Sequence, residues 1–264
     1  MAKIGIIGIG NMGLAIVKGL LGTYSRKDIL FTDVNKERCE EITKELGIEH
    51  VDNNGHLAAS AQYIVLAVKP QYFPAVLSDI RNTVTEKNVI ISIAPGITTT
   101  HLKEKLGDEK RVVRAMPNTP ALLGEGMTGV CYEEKAFSAE EKQAIADIFG
   151  SLGKMRLVEE RLMNAVVCVS GSSPAYVYMF IEALADSAVK YGLPREAAYE
   201  MAAQSVLGSA KMVLETGEHP GALKDKVCSP GGTTIAAVSA LEEAGFRNAV
   251  IKAADACYKK CTEL

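Results

Sequence analysis

The residues Gly8-Ile9-Gly10-Asn11-Met12-Gly13 have the types and the spacing to hold a dinucleotide on bare backbone. Gly8 can make a tight turn, Gly10 lets a pyrophosphate approach the main chain, and Gly13 lets a helix pack closely on the preceding strand. The N–H groups and dipole of that helix then favour phosphate charge. A glycine turn without a ligand would carry the same letters, so context has to separate the two. The apolar run Ile4 to Ile7 reads as a buried strand, and Leu14, Ile16, Val17, Leu20 and Leu21 follow at helical spacing.

Further polar residues stand at the ends of strand-like runs, where an open α/β sheet binds its ligands. Asp33 ends Ile29–Asp33, about 20 residues past the glycines, where an acid can take the ribose 2′-OH of an adenine dinucleotide. It would favour NAD over NADP, because a carboxylate repels a 2′-phosphate. Lys36 and Arg38 close behind can reverse that preference, and an Asp that merely opens a helix fits equally well. Ala67-Val68-Lys69-Pro70 follows the run Tyr63–Val68. Lys69 there can meet a phosphate or ribose, or be a solvated loop lysine. Asn54, ahead of that run, can face the adenosine half or serve only as a turn residue. Ala94-Pro95-Gly96 and Met116-Pro117-Asn118-Thr119-Pro120 follow two more runs. Two prolines fix the second loop and leave the side chains of Asn118 and Thr119 free for a nicotinamide and its substrate, unless the loop is only a turn.

In the second half, Asp225-Lys226-Val227-Cys228-Ser229-Pro230-Gly231-Gly232-Thr233-Thr234 is the informative stretch. A Pro-Gly-Gly turn leads straight into a helix, leaving bare N–H groups as a seat for a carboxylate, with hydroxyls from Ser229, Thr233 and Thr234. An elaborate helix cap is the alternative, for which one threonine would suffice. Ser170-Gly171-Ser172-Ser173-Pro174-Ala175-Tyr176 is explained by capping alone, with Ser173 as N-cap and Pro174 at the first helical position. Glu182, Asp186 and Lys190 form one solvated or intersubunit stripe. The sequence contains no phosphate-binding Gly-x-x-x-x-Gly-Lys-[Ser/Thr] and no Gly-x-Ser-x-Gly elbow, and its four His form no constellation. Hydride transfer tolerates such poverty, because the cofactor performs the difficult step.

The elements that must position these residues divide into two characters. Over residues 1–160, strand-like runs at Ile4–Ile7, Ile29–Asp33, Tyr63–Val68, Val89–Ile93, Arg111–Ala115 and Met155–Val158 alternate with helical pieces. Asn35 and Gly47 bound one helix, and Ser138 with Glu141 forms a capping box for another. This rhythm predicts an α/β Rossmann domain, a parallel-sheet core with helices on both faces. Over residues 161–264 the strands vanish and Ala-, Leu-, Val- and Met-rich helices take over, several apolar round much of their circumference. That predicts an all-α domain that buries a partner subunit.

Net charge of −3 supplies no field to gather nucleic acid or an anionic membrane. The six cysteines are scattered, and Cys257 with Cys261 finds no further Cys or His nearby to complete a zinc set, so no metal is expected. They read as packing thiols of a cytoplasmic protein. The N-terminal apolar run is too short and too broken for a signal peptide. No stretch is expected to reach the ~18 apolar residues of a membrane span.

Taken together, Gly8-x-Gly10-x-Met12-Gly13, Ala67-Val68-Lys69-Pro70, Met116-Pro117-Asn118-Thr119-Pro120, Gly171-Ser172-Ser173-Pro174-Ala175-Tyr176 and Ser229-Pro230-Gly231-Gly232-Thr233-Thr234 resemble the pyrroline-5-carboxylate reductase family, in that family's order and across nearly the whole chain. The first motif is shared with many dehydrogenases; the last three are far more specific. The resemblance implies a Rossmann domain, a helical dimerisation domain, and dimers that gather into a larger homo-oligomer. It implies NADPH or NADH reducing the C=N bond of 1-pyrroline-5-carboxylate to L-proline. By that resemblance Gly8, Ile9, Gly10, Asn11, Met12, Gly13, Asp33, Asn54, Ala67, Val68, Lys69, Pro70 and Asn118 contact the cofactor. Val227, Ser229, Gly231, Gly232, Thr233 and Thr234 hold the substrate, its carboxylate on backbone N–H groups and hydroxyls. The Thr234 hydroxyl bonds the imine nitrogen. Ser173 stands where the family has glycine. Asp33 leaves the cofactor preference open. Two rivals remain at this stage. A β-hydroxyacid dehydrogenase would need a lysine base, with Lys190 the only candidate on the long helix. A non-catalytic NAD(P)-binding module would need no Pro-Gly-Gly-Thr-Thr pocket.

Overall fold

Strand β1 (Ala2–Ile7) lies near the middle of an eight-stranded sheet, in a computed structural model that describes residues 2–263. The order is β3-β2-β1-β4-β5-β6-β7-β8. In chain order the elements of this first unit are α1 (Asn11–Leu20), β2 (Ile29–Thr32), α2 (Lys36–Leu46), β3 (Glu49–His50), α3 (Asn54–Ser60), β4 (Ala61–Leu66), α4 (Phe73–Ile80), β5 (Val89–Ser92), α5 (Thr99–Leu106) and β6 (Arg111–Met116). They are followed by β7 (Gly126–Cys131), α6 (Ala139–Gly150), β8 (Gly153–Leu157), the short α7 (Met163–Val166) and a π turn, Val167–Gly171. Every ladder is parallel except β6–β7.

Both faces of the sheet are covered, which is why its strands read as unbroken apolar runs. Ile4, Ile6, Phe31, Val65 and Ile91 point to one side, under Ile16 and Leu20 of α1 and Ile148 and Phe149 of α6. Ile7, Leu30, Ile64, Leu66 and Ile90 point to the other, against Leu57 of α3 and Phe73 and Leu77 of α4. The period of two along each strand allots alternate residues to the two layers. Caps set the helix starts. Asn35 accepts from the Arg38 N–H, Gly47 ends α2 at φ 66°, and Ser138 with Glu141 closes both halves of a capping box.

Several elements differ from the sequence expectation. Strand β7 carries glycines at Gly126 and Gly129, which lower its strand signal. They are there for packing: a Cβ at Gly129 would lie 2.6 Å from Val166 Cγ1, and one at Gly126 2.7 Å from the Leu152 carbonyl. Helix α3 has only seven residues, too few to show a period, and Asn53 caps it by accepting from His56 N–H at 2.8 Å. Asn54 is therefore a helical residue and not a turn residue. The expected helix Leu162–Val169 is broken into α7 and the π turn. Ser173, expected as a cap, is the first residue of the following helix. Helical residues Glu160–Lys190 are long and apolar enough, by length and composition, to cross a membrane. The run holds no 18 consecutive apolar residues, since Ser, Gly and charged positions interrupt it.

By contacts the second compact unit is Ser173–Ala256, and Cys257 onward groups with the first. The unit consists of α8 (Ser173–Lys190), α9 (Arg195–Thr216), α10 (Pro220–Val227), α11 (Thr233–Glu243) and the greater part of α12 (Phe246–Thr262). Helix α10 was not expected, since Pro220–Val227 is short and half polar. The unit's own core is small: Ala185, Ala198 and Ala202, flanked by Ile181, Val189 and Leu193. Large apolar side chains such as Met179, Met201, Leu207, Leu214 and Ile251 stand exposed on the chain alone.

Gly5 tests how closely β1 is packed, because a Cβ there would meet Leu57 Cδ2 at 2.5 Å and Ala61 Cβ at 2.8 Å. Gly5→Val should destabilise the fold by about 1–3 kcal/mol through overpacking. Urea unfolding checks this as a lower midpoint at unchanged slope. An unmoved midpoint would mean that Leu57 simply swings aside.

Candidate active site

The glycine turn is built by what its residues lack. Gly8 sits at φ 95°, and a Cβ there would strike the Ala67 carbonyl at 2.8 Å. A Cβ on Gly13 would lie 2.0 Å from the Gly8 carbonyl oxygen, so only glycine lets α1 start this close to the strand. At Gly10 the surroundings are the reverse: nothing lies within 4 Å of a built Cβ. Gly10 is the N-cap of α1 and has no side chain to bond the first-turn N–H groups. An open, uncapped helix start beside a tight turn fits a pyrophosphate. Ala67 N–H bonds the Ile7 carbonyl at 2.8 Å, so Ala67 and Val68 run alongside the turn, with exposed Lys69 next.

Asp33 is engaged in a way the sequence did not reveal. Its Oδ2 accepts the Ile9 N–H at 2.7 Å and its Oδ1 accepts the Asn35 N–H at 2.9 Å. The carboxylate thus fastens the glycine turn to the start of α2. Lys36 donates to the Asp52 carbonyl, and Arg38 pairs with Glu41 at 2.9 Å. Asn54, first residue of α3, donates from Nδ2 to Asp79 at 2.9 Å.

After Met116, the last residue of β6, Pro117 and Asn118 leave the sheet. Asn118 was expected to hold its side chain free, but both ends are bonded. Oδ1 accepts the Met127 N–H at 2.9 Å and Nδ2 donates to the Ser170 carbonyl at 3.0 Å. Thr119 beside it is exposed. Below this loop buried Arg114 pairs with Glu160 at 3.5 Å, and Glu160 accepts the Thr99 N–H at 2.7 Å. Nothing in the local sequence marked that link, which spans distant parts of the chain.

The Ser229–Thr234 stretch lies in the second unit. Pro230 and Gly231 form the corner of a turn closed by Gly232 N–H to the Ser229 carbonyl at 3.0 Å, with Gly231 at φ 70°. Proline followed by a positive-φ glycine is the pairing a type II turn requires. Gly232 is the N-cap of α11 and, like Gly10, offers no side-chain cap. A Cβ on Gly232 would lie 2.4 Å from Ser229 Oγ. The first-turn N–H groups therefore stay available, with Ser229 and Thr233 exposed and Thr234 half-buried beside them. Val227, the last residue of α10, is exposed.

A cavity of about 260 Å³ elsewhere in the first unit is lined by Thr99, Lys103, Arg111, Cys131, Phe137 and Glu160 among others. Its cations are matched by acids: Lys103 with Glu133, and Arg111 with Glu141. Burial, then Glu160, pushes the Cys131 thiol up to about 11, so it is protonated at neutral pH and packs rather than attacks. The six cysteines form no disulfide among the described residues.

Comparison with known proteins gives this geometry its context. The family model described as pyrroline-5-carboxylate reductase dimerisation matches residues 160–264. The model described as NADP oxidoreductase coenzyme F420-dependent matches residues 3–96. The pyrroline-5-carboxylate reductase of Escherichia coli (strain K12) is 47% identical over 264 residues, covering 99% of this chain and 98% of its own. A crystal structure of the pyrroline carboxylate reductase of Plasmodium falciparum with NADP bound superposes with a TM-score of 0.88 at 33% identity, covering 98% and 97%. That of the Coxiella burnetii pyrroline-5-carboxylate reductase gives 0.91 at 34%, covering 99% and 98%.

The bonding of Asp33 leads to a test. Asp33→Ala removes a buttress of the turn, so it should weaken NADPH and NADH together, about tenfold to a hundredfold, as expected for one lost hydrogen bond to a charged group. Titration of the two cofactors by fluorescence checks this. Tighter NADPH binding with weaker NADH binding would instead make Asp33 a selector at the ribose.

Proposed function

The chain belongs to the pyrroline-5-carboxylate reductase family, and on that premise we propose how its residues divide the reaction. The protein is an NADPH-dependent oxidoreductase that reduces the C=N bond of 1-pyrroline-5-carboxylate to give L-proline, the last step of proline biosynthesis. The bound cofactor supplies the hydride. Everything else falls to the chain: binding two anions, orienting the imine and managing the charge on its nitrogen.

Gly8, Ile9, Gly10, Asn11, Met12 and Gly13 take the pyrophosphate, on the strength of the open N-terminus of α1. Ala67, Val68, Lys69 and Pro70 flank it, with Lys69 offering its ammonium to phosphate or ribose. Asn54 is assigned to the adenosine half, and Asp33 serves the cofactor through the Ile9 N–H it holds. The substrate carboxylate sits on the first-turn N–H groups of α11, with the Ser229 and Thr233 hydroxyls as further donors and Val227, Gly231 and Gly232 shaping the seat. Thr234 hydrogen-bonds the imine nitrogen and stabilises it as the π bond is reduced and a proton is taken up. Positioning supplies most of the acceleration. The observation that carries this reading is the uncapped start of α11 behind a Pro-Gly-Gly turn. Helices α4 and α9 also start without a side-chain cap, but on Tyr72 and Pro194, and neither follows a Pro-Gly-Gly turn.

The exposed apolar faces of the second unit lie within the region matched by the dimerisation model, which supports a homodimer built on them. The run Glu160–Lys190 belongs to the same region, and we assign its apolar side chains to subunit contact rather than lipid. We further assign the dimers to a larger homo-oligomer and the enzyme to the cytoplasm, where cysteines without disulfides persist.

Cofactor oxidation by the purified protein, measured with 1-pyrroline-5-carboxylate and with its six-membered homologue, tests the assignment. Turnover of neither imine, with NADPH still bound, would sink it. Thr234→Ala should lower kcat by about 100-fold, the typical cost of one preorganised donor, while the Kd for NADPH stays put. Normal turnover in that variant would remove Thr234 from the mechanism.

A further inference from the structure

We infer that Asn118 is a positioning residue for hydride transfer: its amide gives the Ser170 carbonyl the hydrogen bond that Pro174 cannot, and so fixes the loop after β6. The inference rests on the reaction proposed above and deepens it. In a helix the carbonyl of Ser170 would accept from the N–H four residues on, and that residue is Pro174, which has none. The chain handles this defect in two ways. The helix widens, with Ser172 N–H reaching back five residues to the Val167 carbonyl at 2.8 Å. The Ser170 carbonyl then turns to Asn118 Nδ2 at 3.0 Å. Ser170's own hydroxyl does not help, because it donates to the Val166 carbonyl at 3.0 Å.

Both residues are buried, each 9% exposed, so water is no ready substitute. The other end of the Asn118 amide accepts the Met127 N–H at 2.9 Å, at the start of β7. One side chain thus joins three segments of the first unit: the loop leaving β6, the edge of β7 and the π turn. A second contact reinforces the join, since a Cβ on Gly171 would lie 3.0 Å from Met116 Cε. The loop so fixed sits at the carboxyl end of a parallel strand, where an open α/β sheet receives its ligand. Pyrophosphate affinity resides in the glycine turn, on other residues. Asn118 therefore acts on the reacting end of the cofactor through the loop and leaves the anchored end untouched.

The test uses the full-length enzyme as Asn118→Asp, Pro174→Ala and the double variant. Asn118→Asp keeps an acceptor for Met127 N–H but takes away the donor to Ser170. Pro174→Ala restores an N–H that can serve the same carbonyl. Measured are kcat, KM for NADPH, melting temperature and the deuterium isotope effect with 4-deuterated NADPH. Asn118→Asp should lower kcat by about 10- to 100-fold, the scale of a small misplacement, with KM for NADPH within about twofold and a larger isotope effect. Adding Pro174→Ala should return part of the lost kcat. Unchanged kcat in Asn118→Asp, or a lower melting temperature with unchanged kcat per folded molecule, overturns the positioning role. Equal loss in the single and double variants overturns the link to Pro174. If Asn118→Asp does not fold, Asn118→Ser is read by the same criteria. Failure of the wild type itself on 1-pyrroline-5-carboxylate is a different result, which removes the reaction and this inference with it.

Discussion

The missing Cβ of Gly13 is the constraint on which the cofactor half depends. With any side chain there, α1 would have to draw back from the Gly8 carbonyl, which lies 2.0 Å from the position a Cβ would take. The helix N-terminus would then leave the strand end, and its dipole would no longer be aimed into the glycine turn. Gly8 contributes the second half of the same constraint. Its φ of 95° turns the chain sharply enough for Gly8 N–H to stay in the ladder, bonding the Thr32 carbonyl at 2.9 Å. The turn is consequently continuous with the sheet, and two apolar layers hold it from both sides.

Three polar side chains at strand ends share one habit: Asp33, Asn118 and Asn88 are each bonded to backbone at both ends. Asp33 takes the Ile9 and Asn35 N–H groups, and Asn118 takes Met127 N–H and gives to Ser170. Asn88 does the same beneath α3, donating to the Ala61 carbonyl at 2.8 Å and accepting from Thr85 N–H. Buried backbone that lacks a partner is costly, so side chains of this kind recur wherever ladders and helices stop. Such residues are easily mistaken for ligand contacts.

This explains what could be read from the sequence and what could not. The Rossmann half was legible because strands buried on both faces give continuous apolar runs, and because Asn35, Gly47, Ser138 and Glu141 carry local signals that the structure bears out. Strand β7 was not, since packing against Val166 and Leu152 replaced its strand-forming residues with glycine. Helix α3 and helix α10 were too short for a period to emerge. At the site, the turn chemistry was visible from residue type alone. The partners of Asp33 and Asn118 were not, because a hydrogen bond between positions 118 and 170 leaves no trace at either place. The apolar character of Glu160–Lys190 is a property of its average, since no 18 consecutive residues in it are apolar.

The helix starts carry the remaining argument. Helices α2, α3, α5 and α6 each begin with a side chain that accepts a first-turn N–H: Asn35, Asn53, Thr98 and Ser138. Helices α1 and α11 begin with Gly10 and Gly232 and have no such bond, and neither carries an acid in its first turn. Sequence choices elsewhere in the chain show that capping residues were accessible at these positions too. Replacing a cap by glycine forgoes only a few tenths of a kcal/mol, so the sacrifice is small while the binding surface it opens is large. A nicotinamide dinucleotide and a cyclic imino acid each bring an anionic group to be seated. Gly10 opens such a helix in the first unit and Gly232 in the second, and the chemistry calls for two anion seats.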